Sequence, residues 1–363
     1  MNKRILHIIT RLDKGGSSDV FCEWIIELKK RAIDLIVCFG LGVNTDQNLV
    51  GLLNSENIPV YINKYLQREV SIIKDTLALL YFIKLYYKLK PDIIHLHTSK
   101  AGFLGRIASL FYFNNKKVII YTPHGHIFHE YFSKFWVRVF QIAEEIGTLF
   151  TDFITFLTQD EKEAFNRMGI NIKREVILPC GIKIEKVTNP RIREIRNIGY
   201  VGRLEYIKGP DLFVESAKRL TKEKNIEFYV FGEGGMYEKL LKIAENNPKI
   251  HFRNFETFDN LFSLIDLLVV PSRNEGLGRV ILYAGLCGLP VLGSSAGGIP
   301  EVLDFGRGGF IFESSNVDDM VNRILYVISH PDEAYLKSLK LQQRVINEYN
   351  LNKTINILCK IYS

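Results

Sequence analysis

The chain has 363 residues, 47% of them hydrophobic and 24% charged, with a formal net charge of +7. This length supports two ordinary domains with cores of their own, and the composition excludes disordered and fibrous classes. The basic excess is heavier in the first half and suits an anionic substrate or membrane surface. It is too diffuse for nucleic acid, and no nucleic-acid-binding signature accompanies it.

The five cysteines (Cys22, Cys38, Cys180, Cys287, Cys359) are scattered and form no CxxC pair. They point to reduced cytosol rather than to a disulfide framework or a zinc site. At the N-terminus, basic residues precede an apolar run that His7 and Thr10 interrupt. That run reads as a first strand, not a secretion signal. Short apolar strands then alternate with amphipathic helices. Strands are predicted at Arg4–Ile9, Leu35–Phe39, Pro59–Ile62, Ile93–Leu96, Val118–Tyr121 and Phe153–Phe156, and helical periodicity is clearest over Val70–Leu89 and Phe132–Phe150. The pattern breaks over Pro179–Arg196, an interdomain connection. It restarts with strands at Asn197–Val201, Glu227–Phe231, Ile250–Arg253, Leu267–Val270, Leu289–Leu292 and Gly309–Phe312, and the tail from Asp318 to Ser363 is helical. The alternation predicts an α/β fold of two doubly wound domains, 1–185 and 186–338, facing each other across a cleft. No apolar segment reaches the roughly 18 residues that read as a membrane span.

In open parallel sheets, ligands bind beyond the carboxyl ends of the strands. The first strand runs into Lys14-Gly15-Gly16-Ser17-Ser18 and a helix. This loop can approach a phosphate, but it lacks the spacing of a dinucleotide fingerprint or a P-loop, and a plain turn is an equal alternative. His95 and His97 fall on one side of their strand, just before Ser99 and Lys100. With no carboxylate or third histidine near in sequence, they do not read as a metal site. The next strand ends in Thr122-Pro123-His124-Gly125, which places His124 at a strand mouth beside a glycine. It is a functional candidate as much as a core residue.

In the second domain, Arg203 and Lys208 flank the loop after the first strand. A planar guanidinium and an ammonium at a helix start suit a diphosphate; a solvated loop is the plainer alternative. Gly232 opens a glycine-rich loop after the following strand. Leu267–Val270 leads through Ser272, Arg273, Asn274 and Glu275 to Gly276-Leu277-Gly278 and a helix. The amides and the positive helix end suit an anion, whereas the acid suits a hydroxyl. Together they suggest a nucleotide–sugar ligand.

Six motifs stand in one order: KGGSS, HLHTSKAGFLGR, TPHGHIF, VGRLEYIKG, FGEGG, and PSRNEGLGRVI followed by GLPVLGSSAGGIPE. With them the chain resembles the retaining GT-B glycosyltransferases of family 4 over nearly its whole length. The HTSKAG and TPHG forms are most similar to bacterial enzymes that build capsular polysaccharide, exopolysaccharide or lipid-linked oligosaccharide. The resemblance implies that Arg203 and Lys208 bind the donor diphosphate and that Glu275 holds the donor sugar's hydroxyls. The amides of Gly276, Leu277 and Gly278 would meet sugar and phosphate, and Gly15 and Gly16 would lie near the phosphates; the Gly232 loop reads by itself as nucleotide-side. His124 would hydrogen-bond the sugar near its reacting end. The acceptor would lie in the first domain near His97, Ser99 and Lys100, and a last helix, about 339–363, would cross back to that domain. One position departs from the family signature. Its second acid is replaced by Tyr283, whose single phenol cannot offer a ribose the two acceptor oxygens of a carboxylate.

The implied reaction moves a hexose or N-acetylhexosamine, with retention, from a UDP-type nucleotide sugar to a hydroxyl of a glycan or polyprenyl-linked acceptor. No cofactor and no metal ion are expected. Tyr81–Lys90 and His126–Arg138 interleave aromatic and basic residues. They would let a cytoplasmic protein rest on the anionic inner face of the plasma membrane, although buried core helices are the plainer reading. Two other functions remain open. A non-hydrolysing sugar-nucleotide epimerase has the same architecture, and Tyr283 would suit a catalytically inactive sugar- or lipid-binding partner.

Overall fold

The computed structural model describes residues 3–13, 15–42, 45–125, 134–188, 190, 192, 194–221 and 225–363. It divides into two units, Met1–Leu178 with Thr354–Ser363, and Pro179–Lys353. Unit 1 contains β1 (Ile5–Arg11), α1 (Ser17–Lys30), β2 (Leu35–Gly40), α2 (Gln47–Ser55), β3 (Val60–Asn63), α3 (Ile72–Leu89), β4 (Ile93–His97), α4 (Ser99–Leu110), β5 (Val118–Thr122), α5 (Lys134–Thr148), β6 (Phe153–Phe156), α6 (Gln159–Arg167) and β7 (Glu175–Ile177). Among the described residues its seven strands form one parallel sheet, ordered β3-β2-β1-β4-β5-β6-β7. β1, β2 and β4 are buried along nearly their whole length, as expected of strands covered on both faces. Strand β7, only Glu-Val-Ile, is too short to show a period and was not anticipated from the sequence.

The winding direction reverses between β1 and β4, which opens a crevice at their carboxyl ends. The ladder sets His7 opposite His95, and Ile9 opposite His97. The aromatic segment Tyr81–Lys90 lies on α3 and faces largely inward: Phe82, Leu85, Tyr86 and Leu89 are core, and Tyr87 is exposed. The exposed apolar stripe of α3 begins earlier, at Ile72 and Ile73 (84% and 75% accessible), and continues through Leu77 and Leu80 to Tyr87, with Lys74, Lys84 and Lys88 exposed beside it. Of the second aromatic segment, 126–133 lies outside the described residues. Among the described residues, no helix is long and apolar enough to cross a membrane.

Unit 2 repeats the plan. It comprises β8 (Asn197–Val201), α7 (Pro210–Leu220), β9 (Glu227–Phe231), α8 (Tyr237–Ala244), β10 (Ile250–Arg253), α9 (Phe258–Ser263), β11 (Leu267–Val270), α10 (Arg279–Leu286), β12 (Val291–Ser294), α11 (Ile299–Val302), β13 (Phe310–Phe312), α12 (Val317–Ser329) and α13 (Pro331–Glu348). Its described strands form a six-stranded parallel sheet, ordered β10-β9-β8-β11-β12-β13, with the reversal between β8 and β11. Helix α13 buries Leu341 and Val345 beside Gly285 of α10, so residues 339–353 stay with unit 2. The return to unit 1 starts at Thr354, within α14 (Leu351–Tyr362).

Helix α14 buries Thr354, Ile355, Leu358 and Tyr362, a spacing that makes one helical face. Its last residue reaches the centre of unit 1, where Tyr362 Oη lies 2.6 Å from His95 Nδ1. His95 Nε2 lies 2.8 Å from Thr122 Oγ1, which meets Thr155 Oγ1 at 2.5 Å.

Two outcomes follow from this buried polar core. Tyr362→Phe leaves His95 Nδ1 buried without a partner, and denaturant titration should show a loss of about 1–3 kcal/mol. Burial holds His7 down at about 3 and keeps His95 and His97 well below the usual imidazole range. The unfolded chain takes up these protons below pH ~6.5, so their contribution is complete above that pH and is lost as pH falls toward the folded values. The unfolding midpoint should therefore drop steadily from pH 7 to 4.5, and His7→Phe should reduce the slope by about one proton.

Candidate functional site

In unit 2 the candidate residues gather at the β8/β11 reversal. The loop after β8 makes a 3₁₀ turn, Tyr206–Lys208, and then enters α7 through Gly209. The loop after β11 lies against it. Gly209 adopts φ +68°, and a Cβ there would collide with the Pro271 carbonyl, so this approach requires glycine. Arg273 fastens the two loops together. Its guanidinium makes two 2.8 Å bonds to Asp211 and a 2.7 Å bond to the Tyr206 carbonyl, and stacks 3.8 Å above the Tyr206 ring. Its amide also donates to the Ile207 carbonyl. The sequence presents Arg273 only as part of a polar loop; an Arg two residues before the signature acid was the available signal.

With the loops fastened, Lys208 meets Glu275: Nζ lies 2.8 Å from Oε1 and 2.6 Å from Oε2. Ser272 Oγ donates to Oε2 at 3.1 Å, and Ser272 is held in turn by Ser294, whose hydroxyl donates to its carbonyl at 2.6 Å. The Glu275 carbonyl accepts from the Gly298 amide, and a Cβ at neighbouring Gly297 (φ +56°) would strike that carbonyl. The acid is thus fixed from both its side chain and its backbone. An ammonium has three donors and a carboxylate about four acceptor sites. Among the described residues, one N–H of Lys208 and one lone-pair site of Glu275 remain for a ligand. Gly278 caps α10 without a side-chain bond, and a Cβ there would lie 3.3 Å from Glu275 Cγ, so the start of that helix lies beside this pair. Leu277 is itself buried.

Arg203 stands apart from the pair. Its side chain is 54% exposed and bonds Glu205 at 3.0 Å, which leaves most of its five donors in solvent. Gly232 packs against the Gly202 carbonyl, so it brings the β9 loop up to the loop that carries Arg203. Tyr283 packs within unit 2. Its ring stacks on Phe258 at 4.3 Å, and its hydroxyl accepts from Arg279 at 2.9 Å.

In unit 1, Gly15 and Gly16 lead into α1 with φ of +89° and +63° and open space where a Cβ would stand. His124, at the end of β5, also has a positive φ, +62°, uncommon for a residue with a side chain. It is held there by its Nε2, 2.9 Å from His97 Nδ1, by Trp24 at 5.5 Å, and by the bond from the next amide, Gly125, to buried Glu161 at 2.8 Å. Thr98, at the end of β4, shares the strained sign at φ +67° and bonds Thr10. Two adjacent strand ends thus carry left-handed backbone held in place by their surroundings.

Two expected acceptor contacts are corrected. His97 is fully buried between His7 and His124 and cannot meet an acceptor. Lys100 is largely buried, ion-paired to Asp75 at 2.6 Å and bonded to the Glu69 carbonyl, because α4 packs beside α3. Ser99 is half-buried at the start of α4. The fold also supplies the third histidine that the sequence lacked nearby: ring nitrogens of His7, His95 and His97 lie within 4.8 Å of one another. This set fits a metal poorly. Both nitrogens of His95 are already bonded, and the three rings bring no anion to offset a desolvated cation.

Comparison with known proteins agrees with this architecture. A family model described as Glycosyltransferase Family 4 matches residues 14–186, and one described as Glycosyl transferases group 1 matches 195–330. The Escherichia coli UDP-Gal:alpha-D-GlcNAc-diphosphoundecaprenol alpha-1,3-galactosyltransferase is 25% identical over 85% of this chain and 84% of its own. The Staphylococcus aureus capsular polysaccharide biosynthesis glycosyltransferase CapM is 24% identical over 96% and 94%. Among solved structures, Anabaena HepE in complex with UDP and glucose superposes with a TM-score of 0.81 at 18% identity, covering 99% of both chains. The sucrose-phosphate synthase of Thermosynechococcus elongatus gives 0.81 at 15%, covering 99% and 98%. Two parallel-sheet units with matching switch points and two family models that together span most of the sequence lead to one conclusion: the chain belongs to the family 4 glycosyltransferases and has the GT-B fold.

Proposed function

We propose that this glycosyltransferase moves a hexose or N-acetylhexosamine from a UDP-sugar to a hydroxyl of a lipid-linked saccharide or growing surface glycan, with retention and without a metal ion. The observation that carries the reading is the Lys208–Glu275 pair beside the uncapped start of α10. It offers one remaining ammonium donor and one remaining carboxylate acceptor beside a positive helix end, which match a phosphate next to a sugar hydroxyl. The printed names of the E. coli and S. aureus relatives support the donor and acceptor classes. HepE, crystallised with UDP, supports the nucleotide.

In this mechanism Lys208 and Arg203 offset the charge that grows on the diphosphate as the anomeric bond breaks, and the α10 amides add fixed dipoles. Glu275 and His124 orient the sugar and are not nucleophiles. The leaving phosphate takes the acceptor's proton on the face it departs from, which gives retention. Positive side chains and helix dipoles supply the neutralisation for which a cation would otherwise be needed. With Tyr283 engaged by Phe258 and Arg279, the ribose is recognised without the signature's second carboxylate. A lipid-linked acceptor also suits the exposed Ile73–Leu77–Leu80–Tyr87 stripe of α3 and its lysines, a face able to rest on anionic lipid.

Transfer assays with a UDP-sugar panel and an undecaprenyl-diphosphate saccharide test this reading. Lys208→Ala should lower kcat by about 10²–10³-fold, in the range for a lost transition-state donor, and chelator should leave the wild-type rate unchanged. Near-normal transfer by Lys208→Ala would end the proposal, and an inverted anomer in the product NMR spectrum would end retention. On vesicles at low salt, the protein should pellet with anionic but not zwitterionic lipid, and Ile73→Glu with Leu80→Glu should abolish pelleting. Equal pelleting by the double variant would remove the α3 surface from the account.

A further inference from the structure

Helices α3 and α4 each lead into a strand, so both end at the amino ends of the sheet, opposite the strand ends considered above. There Tyr87, Lys90, Tyr112, Phe113, Asn115 and Lys116 line an open cavity of about 610 Å³. The fold fixes its walls. Tyr87 Oη donates to the Phe111 carbonyl at 2.8 Å, and its ring meets Tyr112 edge-on at 5.6 Å. Tyr112 is itself buried, and Lys117 Nζ donates to its carbonyl at 2.8 Å. Out of this frame stands Phe113, 84% accessible, with Leu110 and Phe111 exposed just before it.

The charge at this edge is one-sided. Lys88 lies over the Tyr61 ring and Lys117 is held by Tyr112. Among the described residues, the ammonium groups of exposed Lys90 and Lys116 have no ion-pair or hydrogen-bond partner, and no acid lines the cavity. The C-termini of α3 and α4 end here, each equivalent to about half a negative charge. Four lysines outweigh them. An exposed aromatic ring beside uncommitted ammonium groups is the pattern of a membrane interface, where the ring enters the acyl boundary and the cations meet phosphates. A second copy packed symmetrically would set these lysines against themselves, and a free phosphate would leave Phe113 in water. Anionic lipid answers both features. Tyr87 also closes the exposed apolar stripe of α3 that begins at Ile72, about 22 Å away at 1.5 Å per residue. Both ends of the helix can therefore touch one flat surface.

We propose that this cavity binds the phosphate of an anionic phospholipid between Lys90 and Lys116 while Phe113 enters the acyl region, a second anchor that lays α3 along the bilayer. The proposal rests on the reading of α3 as a membrane-facing helix. It adds a headgroup site, at the opposite end of that helix from Ile72 and Ile73, that resting on lipid does not by itself require.

Partition of the full chain onto phosphatidylcholine vesicles with and without phosphatidylglycerol tests it. Lys90→Ala with Lys116→Ala, and separately Phe113→Ser, should each weaken binding to the anionic vesicles about tenfold or more. Lys239→Ala with Lys242→Ala, two exposed lysines of α8, should stay within about twofold of wild type. Equal loss by the α8 pair would reveal diffuse charge attraction and overturn the site. Monomeric dihexanoylphosphatidylglycerol should bind the wild type and not the Lys90/Lys116 double variant, and inorganic phosphate at the same concentration should not displace it. Equal displacement by phosphate would make the cavity a plain anion site. Sedimentation velocity covers the remaining occupant: a wild-type dimer that Phe113→Ser dissolves, with vesicle binding unchanged, would make this face a self-interface and end the proposal. If Ile73→Glu with Leu80→Glu abolishes vesicle binding while the cavity variants bind like wild type, the membrane reading stands and this inference fails. If the short-chain lipid binds through Lys90 and Lys116 but vesicles do not bind, the site stands and the membrane reading fails.

Discussion

The ion pair between Lys208 and Glu275 is the interaction on which the candidate site of unit 2 depends. Its value lies in position, because it forms only when the loops after β8 and β11 are brought together. Arg273 does that from behind, bonded to Asp211 and the Tyr206 carbonyl, and Gly209 and Gly297 permit backbone approaches that a Cβ would block. Cation and acid then hold each other while each keeps bonding capacity to spare. The sequence suggested a division of labour, with Lys208 for phosphate and Glu275 for sugar. In the folded chain the two form a single unit, so perturbing one disturbs the other.

Unit 1 is organised around a different constraint. Four histidines occupy or adjoin the central strands, where burial favours their neutral form and each nitrogen needs a partner. One ring is satisfied by the last helix through Tyr362, which ties the C-terminus to the centre of the sheet. The others satisfy each other in a line ending at His124. The left-handed backbone of His124 and Thr98 shows that these strand ends are shaped against local preference.

Most of the fold was legible in the sequence. Branched apolar runs of four to six residues alternating with amphipathic helices announce a parallel sheet, and the strands Phe153–Phe156, Asn197–Val201, Glu227–Phe231, Ile250–Arg253 and Leu267–Val270 appear at the expected bounds. β7 escaped because three residues carry no period. The aromatic face of Tyr81–Lys90 was ambiguous because periodicity marks an amphipathic face without saying what covers it; here the core covers Phe82 and Tyr86, and the exposed stripe begins a turn earlier. The return of the chain to unit 1 was legible as a helix but not in its starting point, since α13 and α14 are both amphipathic and it is the packing of α13 on α10 that separates them.

The sequence by itself determined the fold class, the family and the strand ends where chemistry gathers, because those are written in local pattern: hydrophobic period, glycines at turns, polar residues where strands stop. Tertiary structure alone decided partnership. It paired Lys208 with Glu275 across 67 positions and His7 with His97 across 90, turned Tyr283 onto Phe258, buried His97 in the core and paired Lys100 with Asp75. Hydrogen bonds and burial depend on which elements become neighbours, and in a doubly wound sheet that follows from strand order, which places β1 beside β4 and β8 beside β11 although other elements separate them along the chain.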